Sequence, residues 1–169
     1  MIVYLLILLG LIIRLIPQFQ HSEIGMLYSP ILAIALFSGF YLSKKKALII
    51  PLIIMGITDF FIGYYDWRLM AAVYGCFLLT TLWGKRNFVV GSLLASLIYF
   101  IVTNYAVWQF MGWYPMTPQG LYTCFAMALP YFKNSLIGTL TYSIIFFGAY
   151  DLATYLVWKT KSYLSIQHQ

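Results

Sequence analysis

Charged side chains are nearly missing from this 169-residue chain. Asp, Glu, Lys and Arg together make up 8% of it, against roughly a quarter in an ordinary soluble domain. Water would not keep such a surface in solution, so a soluble globular protein is excluded first. Acidic residues are the rarest class, with four Asp and Glu in total. Cysteine occurs twice, as Cys76 and Cys124, far apart and without a CxxC or Cys/His spacing. That excludes a disulfide framework and a structural zinc site. HExxH, GxSxG and P-loop patterns are absent, and no two carboxylates lie close in sequence. No enzyme activity, cofactor or metal is therefore expected, and active transport would draw its energy from a partner or an ion. His21 and His168 fall in a loop and in the tail, where a lone histidine is usually just solvated. Internal repeats, heptads and the alternation of a membrane β-barrel are missing as well.

What is present is apolar: 63% of the residues are hydrophobic and 20% aromatic, and the mean hydropathy is +0.87. A helix crossing a bilayer needs about 20 such residues, so a chain of this length can cross roughly six times if its loops are short. The expected fold is all-α, a single polytopic six-helix transmembrane bundle in the lipid bilayer of the cell inner membrane. Spans are expected at about 1–17, 27–43, 47–65, 69–84, 88–110 and 135–158. Gly112, Pro115, Pro118, Gly120 and Pro130 punctuate 111–134, which reads as a long loop carrying a short interfacial or re-entrant helix. The first segment lacks the charged start of a secretory signal and is expected to be retained.

The formal charge of +6 comes from residues scattered in twos and threes, so it points to topology and not to nucleic acid. Lys44, Lys45, Lys46, Lys85, Arg86, Lys159 and Lys161 fall on one side of the expected membrane, Arg68 and Lys133 on the other. Basic residues accumulate on the cytoplasmic side, which puts both termini there. The 18–26 loop, the turn at Asp66 and the 111–134 segment are then extracytoplasmic. They carry the tryptophans and tyrosines of an interfacial belt.

Ionisable residues inside a span are costly and mark candidate sites. At about 1.5 Å per residue, Arg14 lies about 5 Å inside the outer end of the first span and Asp59 about 9 Å inside that of the third. Tyr74 and Asn104 reach the same layer from the fourth and fifth spans. These four side chains either line a solute pocket open to the outside or include a structural Arg14–Asp59 ion pair, and the two readings are compatible. Trp113 and Tyr114, with Tyr122 and Phe125, are candidates for an aromatic lid, and Trp108 of the interfacial belt is a further ligand-binding candidate. Asp151 lies toward the cytoplasmic end of the last span, where a structural role beside Tyr150 and Tyr155 is the simpler reading. Ala33, Ala35 and Gly39, and Gly91 with Ala95, allow close helix approach. They serve either internal packing or the docking of another subunit.

Several strings carry a resemblance: Arg14-Leu-Ile-Pro17, Ser29-Pro30 through Gly39, Pro51 with Ile57-Thr58-Asp59 and Gly63-Tyr64, and Val73-Tyr74-Gly75 with Gly84. Thr103-Asn104-Tyr105-Ala106-Val107-Trp108, Tyr114-Pro115 with Thr117 and Gly120-Leu121, and Leu129-Pro130-Tyr131-Phe132 with Asn134 extend it. From about Arg14 to Gly148 the chain resembles an uncharacterised family of small bacterial membrane proteins, similar to the substrate-binding S components of energy-coupling factor transporters. The resemblance implies a six-helix protein that captures a vitamin- or metal-like solute from outside and docks onto a transmembrane coupling subunit with two ATPases. The loop after Pro17 departs from the family pattern, reading Gln-Phe-Gln-His-Ser-Glu where a Pro-Asn pair is expected. A non-transporting membrane scaffold is the alternative. A solitary cobalamin transporter using Cys76 as a cobalt ligand is a more remote one, set against Cys76 as a buried apolar filler.

Overall fold

A computed structural model describes residues 2–19, 29–83 and 87–167. Six helices, and no strand, occur among these residues: α1 (Ile2–Phe19), α2 (Ile31–Tyr41), α3 (Lys44–Ile62), α4 (Trp67–Leu82), α5 (Phe88–Phe110) and α6 (Pro118–Gln167). The 20–28 part of the first loop, the start of the expected second span, and Lys85 and Arg86 lie outside the described residues.

Local chemistry sets most helix boundaries. The Asp66 carboxylate accepts the Arg68 amide at 2.8 Å and opens α4, and the Asn87 side chain accepts the Val89 amide at 2.9 Å to open α5. Such caps satisfy amides that have no partner within a helix. At the end of α3 the backbone turns through Gly63 at φ 110°, where a side chain would be strained, and the Gly63 amide closes onto the Asp59 carbonyl.

The organising element is α2. Every residue from Ile31 to Gly39 is buried, and this helix touches all five others. A helix apolar on every side has no face that needs water, so neighbours can enclose it completely, as they do here. Its small residues let neighbours approach: a Cβ on Gly39 would stand 2.1 Å from the Thr81 carbonyl oxygen of α4. Gly10 of α1 lies against Ile34 and Phe146, and Gly91 of α5 against Leu36. Ala33, Ala35, Gly39, Gly91 and Ala95 are all buried, so these small residues serve internal packing.

The two ends of the bundle are chemically distinct. At one end Lys46 Nζ donates to the Tyr4 hydroxyl at 3.2 Å, tying the starts of α1 and α3 together. At the other, the Arg68 guanidinium lies over the rings of Trp67 and Phe110, 5.7 and 5.5 Å from their centroids. This joins the start of α4 to the end of α5.

The sequence reading differs from the structure most over 111–134. Irregular backbone is confined to 111–117, and a continuous 50-residue helix follows from Pro118. Pro118 occupies the first helical turn, where its missing N–H costs nothing. Pro130 is absorbed within the helix at the loss of one hydrogen bond, to the carbonyl of Ala126. Gly120 fits under the preceding chain, since a Cβ there would meet the Pro115 carbonyl oxygen at 2.0 Å. Punctuation by proline and glycine thus marks a tight entry into a long helix and not an extended loop.

Two helical stretches, Phe88–Phe110 and Pro118–Thr160, are long and apolar enough to cross a membrane. Ile2–Ile16, Ile31–Tyr41 and Trp67–Leu82 are apolar but shorter.

Candidate functional site

At the end of the bundle that carries Arg68, polar side chains from four segments converge. Arg14 projects from the last turns of α1. Its Nε donates to Thr58 Oγ1 at 3.3 Å, its Nη1 donates to Ser29 Oγ, and its Nη2 approaches Met55 Sδ at 3.5 Å. Met55, Thr58 and Asp59 follow the i, i+3, i+4 spacing of one face of α3, which presents them together. Thr58 is fully buried and Asp59 nearly so, at 3% exposure. The Tyr74 hydroxyl of α4 donates to Asp59 Oδ2 at 2.7 Å.

Arg14 and Asp59 are electrostatic neighbours, yet their hydrogen bonds run to different partners. The guanidinium is held by a hydroxyl pair and a thioether, and the carboxylate by a phenol. Each charge is oriented by neutral groups, and neither is quenched by a bidentate contact with the other. Tyr65 and Tyr99 complete the electrostatic surroundings of Arg14.

Asn104 belongs to a second feature close by. Its Nδ2 donates to the Phe100 backbone carbonyl at 2.7 Å, and its backbone carbonyl accepts from Cys124 Sγ at 3.4 Å. It lines a half-open groove of about 160 Å³ between α5 and α6, together with Tyr99, Thr103, Tyr131, Phe132 and Ser135. Tyr99 is common to the groove and to the surroundings of Arg14.

The structure therefore brings three of the four expected polar residues, Arg14, Asp59 and Tyr74, into one cluster and sets Asn104 on the adjoining groove. The aromatic candidates are distributed differently. Trp108 Nε1 donates to the Pro115 carbonyl at 3.0 Å and ties the end of α5 to the 111–117 connection. Trp113 is 71% exposed and Tyr114 half-buried. Among the described residues no hydrogen bond or ring contact joins these three to Arg14 or Asp59. Tyr122 and Phe125 stand on α6, not on a loop, with Phe125 edge-on to Phe100 at 5.4 Å. Asp151 is exposed on α6 and is an electrostatic neighbour of Tyr41, whose ring lies 4.0 Å from that of Tyr150.

Sequence reasoning missed Ser29, Met55, Thr58 and Tyr99. The spacing of Met55 and Thr58 from Asp59 on one helix was the available signal for two of them. Ser29 and Tyr99 meet the cluster only through the fold. Cys76 and Cys124 are both buried and free. No group of three His, Cys, Asp or Glu side chains gathers among the described residues.

No curated protein and no solved structure matches the chain, and nothing in the comparisons links it to transporter S components. A family model matches almost its whole length: the chain belongs to the DUF6580 family of unknown function, whose model matches residues 1–162.

Proposed function

We propose that this protein is a multi-pass inner-membrane protein of six spans with both termini in the cytoplasm. In this reading it captures a small solute from the extracytoplasmic side and is not an enzyme. The observation that carries the reading is the state of Arg14. A guanidinium at membrane depth is costly, and its ordinary remedy is a carboxylate in bidentate contact. Here the hydrogen-bond partners are Ser29, Thr58 and Met55, all neutral, so donor capacity and positive charge remain for an anionic group entering from the end of the bundle. Asp59, held by Tyr74, orients the site and limits its net charge. If the resemblance read from the sequence to S components of energy-coupling factor transporters holds, a transmembrane coupling subunit and its ATPases would be the partners that supply energy.

Native mass spectrometry of the gently purified protein tests this. The wild type is expected to retain a small acidic molecule in one-to-one ratio, and folded Arg14→Gln to come empty. A wild-type protein carrying no solute and bound only to other membrane proteins would replace this reading with that of a scaffold.

A further inference from the structure

The groove between α5 and α6 has a composition suited to one kind of occupant. Its walls are aromatic: Phe100 and Phe132 lie 4.7 Å apart at 35°. Its polar lining is uncharged and comes from Tyr99, Thr103, Asn104, Tyr131 and Ser135. Two of these groups are already committed to their own helix, Thr103 to the Tyr99 carbonyl and Asn104 Nδ2 to that of Phe100, each at 2.7 Å. The hydroxyls of Tyr99, Tyr131 and Ser135 make no hydrogen bond among the described residues. The groove therefore combines a packed aromatic surface with hydroxyl-bearing residues that have hydrogen-bonding capacity left, the usual make-up of a small-molecule site.

Size narrows the occupant. A cavity of about 150 Å³ holds benzene, and this groove offers about 160 Å³. One six-membered ring with a small substituent fits within it. An acyl chain would leave the hydroxyls unpaired against hydrocarbon.

We infer that the α5–α6 groove binds a single uncharged planar ring bearing hydrogen-bonding groups, as the ring portion of the captured solute. This rests on the solute-binding reading above. It assigns the ring to a place separate from the anionic group at Arg14, with Tyr99 between them.

Benzamide is the probe, titrated by ligand-observed NMR against the full chain in detergent, with hexanamide as the chain-like control. Folding of each variant is checked by circular dichroism and thermal unfolding. Benzamide is expected to bind the wild type and Arg14→Gln alike, and hexanamide to bind neither. Ala128→Phe, which fills the groove, should abolish benzamide binding. Asn104→Leu, which removes the amide without adding a ring, should weaken it about tenfold. Benzamide binding unchanged in folded Ala128→Phe and Asn104→Leu, no benzamide binding to the wild type, or hexanamide binding as well as benzamide would overturn the ring site. Failure here with solute still lost from Arg14→Gln leaves the anion site standing. Solute retained by folded Arg14→Gln contradicts the anion site instead.

Discussion

The Asp59 carboxylate shows how closely one residue can be specified by its surroundings. It is nearly fully buried, and its phenolic partner comes from a different helix, so the two are held by the packing of α3 on α4. Tyr74→Phe keeps the ring and removes only the donor. The expected cost is about 1.5–3 kcal/mol, because a buried charged acceptor loses its hydrogen bond, and chemical denaturation in mild detergent measures it. At this scale the sequence was informative about which residues are unusual and silent about their partners. Arg14 and Asp59 stand out in any apolar chain. That Arg14 would turn to Ser29 and Thr58 depends on side-chain directions that helix spacing alone does not supply.

Helix packing separates glycines that look alike in the sequence. Gly39 on α2 stands under the Thr81 carbonyl of α4, whereas an added Cβ at Gly56 of α3 meets nothing within 4 Å. Gly39→Ala is expected to push α2 and α4 apart and destabilise the protein by about 1–3 kcal/mol, as overpacking does. Gly56→Ala should be neutral or mildly stabilising through helix propensity. Thermal unfolding of the two variants side by side checks the contrast, and equal effects would mean that the α2–α4 approach is looser than described. Most helices were legible as apolar runs closed by Lys44-Lys45-Lys46, Asp66 or Asn87. The start of α6 was not, because Pro118, Gly120 and Pro130 carry the same signature in a loop and in a helix entered tightly. Only the fit of Gly120 against Pro115 distinguishes the two, and that contact is tertiary.

For the molecule as a whole, the proposed arrangement sets the Arg14–Asp59 cluster and the adjoining groove toward the outside, with Lys44–Lys46 and Tyr4 toward the cytoplasm. About 50 residues of α6 would extend roughly 75 Å if straight, far beyond the roughly 30 Å hydrocarbon core. Its final turns, with Lys159 and Lys161, would then stand clear of the membrane on the cytoplasmic side. The outward-facing site is tested most directly by thiol labelling in intact cells with a membrane-impermeant reagent. Because native Cys76 and Cys124 are buried, new cysteines at the exposed Tyr64 and at Ser43 can be read against a low background. Tyr64→Cys is expected to label from outside, and Ser43→Cys only after the membrane is opened. Labelling of Ser43→Cys in intact cells with Tyr64→Cys protected would turn the Arg14 cluster toward the cytoplasm and contradict capture from the extracytoplasmic side.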